Sequence, residues 1–575
     1  MSSRALSALR RSGPPVARWY WEQLAPDLAF VPIALVACWS LFAVRGMPMT
    51  HDGLGLAFLE GYRRAYKGGD FFPLWTSFSE DGHGSAFPIL YHRLHGQVFA
   101  FLALKIGSLL ALKVSIPVLL VVGAAGLRRL CLGLGVRPWL AWTGGILLMS
   151  ANYTVTDWFV RGATAELTAF MLLPWCLREA LRALDDDWAP VRFAVASALL
   201  FYAHMMTFYV FVFVATILVA GRLLELLPFG WARVRPALRR GAIFTALLTC
   251  AIGPYAAAVK YVLAFSGLQK IEMRGDDAAF FPWKSYLIDP NFSWSRAHLP
   301  GLASVEIGRW MLFCLAVFLV VEPSARSAVR KRAGSLVVVA MVFLVLQRKE
   351  LSFVFSLLPG AASIQFPSRL LVFIVPIVIV CMTIAVEMGL RSRAPWVRAA
   401  AAVLPVLAAA GQVNLARSTQ SAIWGQQVAR SDIDAAMGNE QDVTTGKMAM
   451  FAAWHLYAPK RQGSPPAAPF LEAMGDCTIS SPGLTGGAPT HLVHGNRPIR
   501  GLSFTVHGGQ CTVKLNQYQS TLLRADFSGP GELRSARDGT TTISAPVDGT
   551  EVTLRQRGVF DLAKKWIVEK ARRRP

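Results

Sequence analysis

Between residues 27 and 414, apolar runs long enough to cross about 30 Å of hydrocarbon follow one another with only short polar breaks. No other feature of the chain constrains its fold as strongly. Such a pattern predicts a polytopic all-α membrane protein with about eleven transmembrane helices. They are placed near 27–46, 108–128, 138–156, 163–183, 189–205, 206–226, 241–263, 306–322, 334–347, 369–390 and 397–414. Charged residues make up only 16% of the 575 and mean hydropathy is +0.42, so much of the surface faces something other than water.

Basic residues orient the spans. Arg4, Arg10, Arg11 and Arg18 precede the first run, no A-x-A-like cleavage site follows it, and the run is read as an uncleaved span. Alternate linkers then hold Arg128, Arg129 and Arg137; Arg233, Arg235, Arg239 and Arg240; Arg326, Arg330, Lys331 and Arg332; and Arg391, Arg393 and Arg398. Eleven spans with a cytoplasmic basic N-terminus (1–26) put all of these inside. The formal charge of +23 is therefore a topology signal that also suits anionic lipid, and nucleic-acid binding is excluded.

The stretch 88–107 is apolar but interrupted by His92, Arg93, His95 and Lys105, and is read as an amphipathic helix at the outer interface. The alternative, an extra span, would invert everything downstream. External loops cover 47–107 and 264–305 of a membrane domain at 27–414. Residues 415–575 form an extracytoplasmic, mostly-β domain: LSFTVHG, CTVKLNQ, TTTISAPV and EVTLRQR read as strands between turn-forming GPGE, RDGT and VDGT, and a basic amphipathic tail follows. Cysteines show no metal-binding spacing; only Cys477 and Cys511 fall in this domain, and whether they pair stays open.

Four polar clusters fall on the outer face in this topology. The first is His51-Asp52, leading into a loop with Tyr62, Asp70 and Trp75. The second runs from Asp157 through Arg161 to Glu166. His204 with Thr207 forms the third, and Gln365 through Arg369 the fourth. Ionisable groups at membrane depth are costly and usually line a cavity or the bundle interior. Each cluster also has a structural reading: Asp52 as a helix cap, Arg161–Glu166 as an ion pair, His204 as a bonded core histidine, Arg369 as a snorkelling side chain.

At these residues the chain resembles the YfhO-type family of bacterial and archaeal membrane proteins, some labelled 6-pyruvoyl-tetrahydropterin synthase-related, within the GT-C glycosyltransferase superfamily. The resemblance rests on HDGLGLAFLEGYRRAYKGGDFFPLW (51–75), DGHGSAFPILYHRL (81–94), WFVRGATAELTAFMLLPW (158–175), AHMMT (203–207), EIGRW (306–310) and LLPGAASIQFPSRLL (357–371). Ser368 stands where the family usually has an aromatic residue.

The resemblance implies a GT-C-like fold in a bacterial inner membrane. The implied activity is inverting transfer of a sugar from a polyprenyl-phosphate-linked donor to an envelope glycan, lipid or protein acceptor. Inverting transfer needs a carboxylate base, Asp52 first and Asp70 second. It also needs cations for the leaving phosphate, here Arg161, Arg369 and His204, with His51 and Gln365 in support. Glu166 orients Arg161 or holds a divalent metal, Mg²⁺ or Mn²⁺. Trp75, Tyr62 and Tyr91 are candidates for stacking on sugar rings. The alternative is a non-catalytic binder, translocator or assembly factor for lipid-linked saccharides.

Overall fold

A computed structural model of the protein describes residues 24–43, 55–75, 86–91, 93–263, 283–287, 305–351, 353–357, 367–428, 471–474, 476–480, 491–492, 502–515, 522–535 and 541–572. Asp52, His51 and Gln365 lie outside the described residues. The main helices are α1 (Phe30–Ala37), α2 (Gly55–Lys67), α3 (Arg93–Ile106), α4 (Ser108–Gly133), α5 (Pro138–Ser150), α6 (Thr164–Leu181), α7 (Ala189–Ala203), α8 (Met205–Leu226), α9 (Trp231–Leu263), α10 (Arg309–Val321), α11 (Pro323–Leu346), α12 (Leu371–Gly389), α13 (Pro395–Val428) and α14 (Val559–Arg572).

Five segments among the described residues are long and apolar enough to cross a membrane: Leu110–Gly133, Met205–Phe229, Val234–Leu263, Pro367–Gly389 and Pro395–Ser418. The protein is thus a multi-pass membrane protein. The expected eleven spans are not all continuous helices of spanning length. Three apolar helices, Ala25–Ala37, Ala189–Ala203 and Arg309–Val321, are short. Helix α5 has 13 residues and rises only about 20 Å, because the chain breaks at Ala151. Helix α6 carries Glu166, Arg178 and Glu179 within its length.

The described chain divides into two compact units. One holds Met1–Gly53, Lys113–Leu247 and Met273–Gly438; the other holds Leu54–Leu112, Leu248–Glu272 and Asn439–Pro575. Helix α12 is the centre of the first: all but one of its residues from Leu371 to Gly389 are buried. Around it, α4 and α6 approach closely because Gly126 has no Cβ, which would collide with the Trp175 ring; the Trp175 indole donates to the Val122 carbonyl at 2.9 Å. Outward, α8, α11 and α13 expose Phe213, Ile217, Val338, Val342, Val403 and Val406, an apolar exterior suited to lipid.

One end of this unit is crossed by ion pairs between successive helices. There, Asp27 accepts from Arg128 (2.9 Å) and Arg129 (2.5 Å), Glu387 holds Arg137 (2.9 Å) and Arg391 (2.8 Å), and Arg332 donates to the Leu134 carbonyl (3.3 Å). The opposite end is bonded by uncharged groups as well. Gln420 of α13 accepts from Ser40 (2.7 Å) and donates to the Ala37 carbonyl (2.6 Å), fixing the C-terminal end of α1 beside it.

In the second unit, α2 and α3 pack together, with Tyr62 of α2 against Gly96 of α3. The stretch expected to lie amphipathically at an interface is helical; of its interrupting residues Arg93 and His95 are buried with Phe99, Ala100 and Ala103, and Lys105 is exposed with Val98, Phe101 and Leu104.

The expected strands are found as β4 (Leu502–His507), β5 (Cys511–Leu515), β8 (Thr541–Ala545) and β9 (Thr550–Gln556), joined by β1 (Leu471–Met474), β2 (Thr478–Ser480), β3 (His491–Leu492), β6 (Leu523–Phe527) and β7 (Glu532–Ser535). They form two antiparallel sheets, β3-β1-β5-β8-β7 and β2-β4-β9-β6. Alternation drives burial: Val513 and Leu515 of one sheet, Phe504, Val506, Val552 and Leu554 of the other, all at 1% exposure or less. Cys477, just before β2, is disulfide-bonded to Cys511 of β5, with Cα atoms 5.5 Å apart. The bond ties the sheets across their buried faces.

Candidate functional site

The break between α5 and α6 builds the site. Asn152, Thr154, Thr156 and Asp157 crowd polar side chains into six residues, and such groups compete with the helical ladder. The chain leaves α5 at Ala151 (φ −57°, ψ 142°), makes a short helix over Asn152–Val155, and widens into a π-helical turn over Thr156–Arg161. Gly162, in the left-handed region at φ 74°, ends the turn, and the Ala163 amide closes onto the Asp157 carbonyl at 2.8 Å. Irregular backbone of this sort at membrane depth is tolerated where protein or a water-filled cavity surrounds it, and π-turns concentrate at functional sites.

Arg161, on the last residue of that turn, is 3% exposed. Its Nη1 donates to Asp157 Oδ1 (2.7 Å) and lies 3.0 Å from Glu166 Oε1. Tyr153 donates its hydroxyl to the same Glu166 oxygen at 2.7 Å. The other oxygen, Oε2, is 3.3 Å from Arg369 Nε. Glu166 therefore bridges two guanidinium groups that are 208 residues apart in sequence, Arg161 and Arg369. Arg369 comes from the Pro367–Leu370 turn that starts α12, and at 22% side-chain exposure it is the accessible member.

His204 sits in extended backbone between α7 and α8 and caps α8: the Thr207 amide donates to Nδ1 at 3.1 Å, and the Thr207 hydroxyl lies 2.7 Å away. An Nδ1 that accepts a backbone N–H leaves the ring proton on Nε2. Arg369 and Arg161 are both within electrostatic reach of the ring.

A second network shares the break. Asn152, next to Tyr153, donates to Glu306 Oε2 (2.5 Å) and accepts from Gln412 (2.6 Å); Gln412 also donates to the Ser150 carbonyl (3.0 Å). Glu306 Oε1 accepts the Arg309 amide at 2.9 Å and is fully buried. These residues anchor the break to α10 and α13.

Of the sequence candidates, Arg161, Glu166, His204 and Arg369 converge in the first unit. The second unit holds Asp70, Tyr62, Trp75 and Tyr91. Asp70 accepts the Phe72 amide at 3.1 Å. Tyr62 and Trp75, expected to stack on sugars, are core residues at 1% and 5% exposure; Tyr62 donates to the Pro88 carbonyl at 3.2 Å. Half-buried Tyr91 packs against Phe87. Glu166 is engaged by two arginines and a tyrosine, a setting that does not suit a divalent cation, and among the described residues no three His, Cys, Asp or Glu side chains group as metal ligands. Asn152, Tyr153, Glu306 and Gln412 were not singled out in the sequence; EIGRW alone pointed toward Glu306.

No protein-family model matches the chain, and no curated protein matches it. Among solved structures, a cryo-EM structure of the arabinofuranosyltransferase AftD from mycobacteria is similar with a TM-score of 0.45 at 18% identity, over 70% of this chain and 28% of that one. The chain thus spans little more than a quarter of that protein's length. A crystal structure of ArnT from Cupriavidus metallidurans bound to undecaprenyl phosphate is similar with a TM-score of 0.37 at 14% identity, over 74% of this chain and 79% of that one.

Proposed function

We propose that the protein is an inverting membrane glycosyltransferase of the bacterial inner membrane, moving a sugar from a polyprenyl-phosphate-linked donor to an envelope acceptor outside the cytoplasm. The observation that carries this reading is the pair of guanidinium groups bridged by Glu166 beside His204, at the end of the helices opposite the basic linkers. Arg369 is partly open, and charge-assisted hydrogen bonds from arginine suit a phosphate oxygen. The His204 Nε2–H adds a neutral donor.

In the proposed reaction, the acceptor hydroxyl gives its proton to the Asp52 carboxylate. Its oxygen forms the new bond to the anomeric carbon from the face opposite the leaving group. The bond from that carbon to the phosphate oxygen breaks, its electron pair stays on the phosphate, and Arg369, Arg161 and His204 stabilise the charge. Asp52 is the first choice for the base and Asp70 the second. His51 and Gln365 are assigned supporting roles. No metal enters the proposal.

One observation favours the second reading, a binder or translocator of lipid-linked saccharides. Asp157 and Glu166 balance Arg161 and Arg369 in charge, as a purely structural cluster would.

Full-length protein in proteoliposomes supplied with polyprenyl-phosphate-linked sugars separates the two. Transfer predicts release of polyprenyl phosphate, and Asp52→Asn lowers its rate by roughly 10²–10⁴-fold with donor binding retained. Tight binding without any release would establish the second reading instead.

A further inference from the structure

Arg93, the first residue of α3, departs from the rule the other buried arginines obey. Arg128 and Arg161 each meet a carboxylate, at 2.9 and 2.7 Å. Arg93 is 1% exposed, yet among the described residues its hydrogen bond is from Nη2 to the Pro73 carbonyl at 3.4 Å, and its Nε and Nη1 meet no acceptor there. Its remaining neighbours are aromatic: the Phe72 ring centroid is 3.4 Å from the guanidinium carbon and that of Tyr255 5.2 Å. Ring faces attract a cation but supply none of the in-plane acceptors that a guanidinium needs, so among the described residues this buried positive charge meets no anion.

We propose that Arg93 is the base of an anion site taking the phosphate of a lipid. Phe72 is the cap. It is 45% exposed, beside Phe71 at 63%, whereas Tyr255 and Tyr62 are buried. Its amide is held by Asp70 Oδ1, so the backbone stays while the ring turns away. An incoming phosphate then meets Nε and Nη1. Hydrocarbon attached to it suits the apolar side chains that the same unit exposes, Phe71 together with Val98, Phe101 and Leu104 of α3. A free phosphate would gain from the arginine alone. This site is independent of the transferase reading, because it needs none of Arg161, His204 or Arg369.

Binding to full-length protein in neutral detergent, read by thermal shift, tests it with three probes: phosphatidic acid, diacylglycerol and inorganic phosphate. Phosphatidic acid should stabilise the protein and diacylglycerol should not. Arg93→Gln should weaken the lipid at least about ten-fold, the loss of charge-assisted bonds, and Arg93→Lys should recover part of it. Phe72→Ala, which keeps the cation and removes the competing cap, should tighten binding. That variant keeps the proposal testable where Arg93→Gln unfolds. Stabilisation by inorganic phosphate that is lost in Arg93→Gln would name free phosphate as the source for the same site. Equal stabilisation by diacylglycerol, or lipid binding lost in Arg369→Ala but unchanged in both Arg93→Gln and Phe72→Ala, would overturn it.

Discussion

The two ends of the helices in the first unit use the same device, one carboxylate holding two arginines. At the basic end, Asp27 holds Arg128 and Arg129, and Glu387 holds Arg137 and Arg391. At the broken end, Glu166 holds Arg161 and Arg369. The difference lies in the backbone. Glu387 also accepts the amide of Arg137, the residue that leads into α5, and so locks regular helices end to end. Glu166 bridges a π-helical turn and a short 3-10 turn, with Tyr153 on the same oxygen and His204 nearby. Identical ion-pair chemistry thus serves as a lock on regular helices at one end. At the other it holds donors in place on backbone that is free of the helical ladder.

Removing the carboxylate at the basic end should give the largest effect on stability. Asp27→Ala removes the carboxylate that Arg128 and Arg129 share, and loss of one partner from a buried pair costs about 3–5 kcal/mol. A denaturation midpoint matching the parent protein would break the claim that the basic end is a lock. Next comes the sidedness of the two ends. Reporter fusions at residue 232, by the start of α9, should read cytoplasmic, and fusions at 450, beyond α13, should read external; a cytoplasmic reading at 450 would reverse the comparison. The Cys477–Cys511 bond bears on the same question, since such bonds persist outside the cytoplasm. Replacing both with serine should cost about 2–4 kcal/mol, and thiol labelling that finds both free in oxidising medium would remove that support.

Much of this architecture is legible in the sequence. Apolar runs and alternating basic linkers are local signals, and they locate the helices and the clustering of charge at one end. Arg161, Glu166, His204 and Arg369 stand out because ionisable groups are rare at membrane depth. The partners of the break do not stand out. Asn152 meets Glu306 across 154 residues and Gln412 across 260, and neither pairing leaves a local trace. Helix length misleads too: the run from Pro138 toward Thr156 is apolar enough to suggest one span, but polar residues from Asn152 onward divert its hydrogen bonding. Tyr62 and Trp75 look like interface aromatics and are buried, Tyr62 because α2 and α3 fold onto each other over Gly96. Arg93 and His95 read as the wet face of an amphipathic helix, whereas packing puts them inside.

The smallest expected effect sharpens the comparison at its solvent margin. Asp186, in the exposed turn before α7, accepts from Arg192 (2.8 Å) and from the Trp188 amide (2.9 Å), and the Arg192 bond holds its carboxyl below the usual range. A lowered carboxyl stabilises above the unfolded value, and that contribution is lost as pH falls through the folded value. Below about pH 4 the parent protein should therefore lose slightly more stability than Asp186→Asn. Parallel stability curves for the two proteins across that range would discount the contact.

Arg369 and Arg391 are the partly exposed partners of equivalent bridges, so exchanging each for alanine asks directly whether the broken end holds phosphate. Binding of a polyprenyl-phosphate-linked sugar to full-length protein in nanodiscs is the measurement. Arg369→Ala should raise its Kd about 10–100-fold, the worth of one hydrogen bond to a charged group, while Arg391→Ala changes it less than about two-fold. Equal Kd values for the two variants would contradict the account.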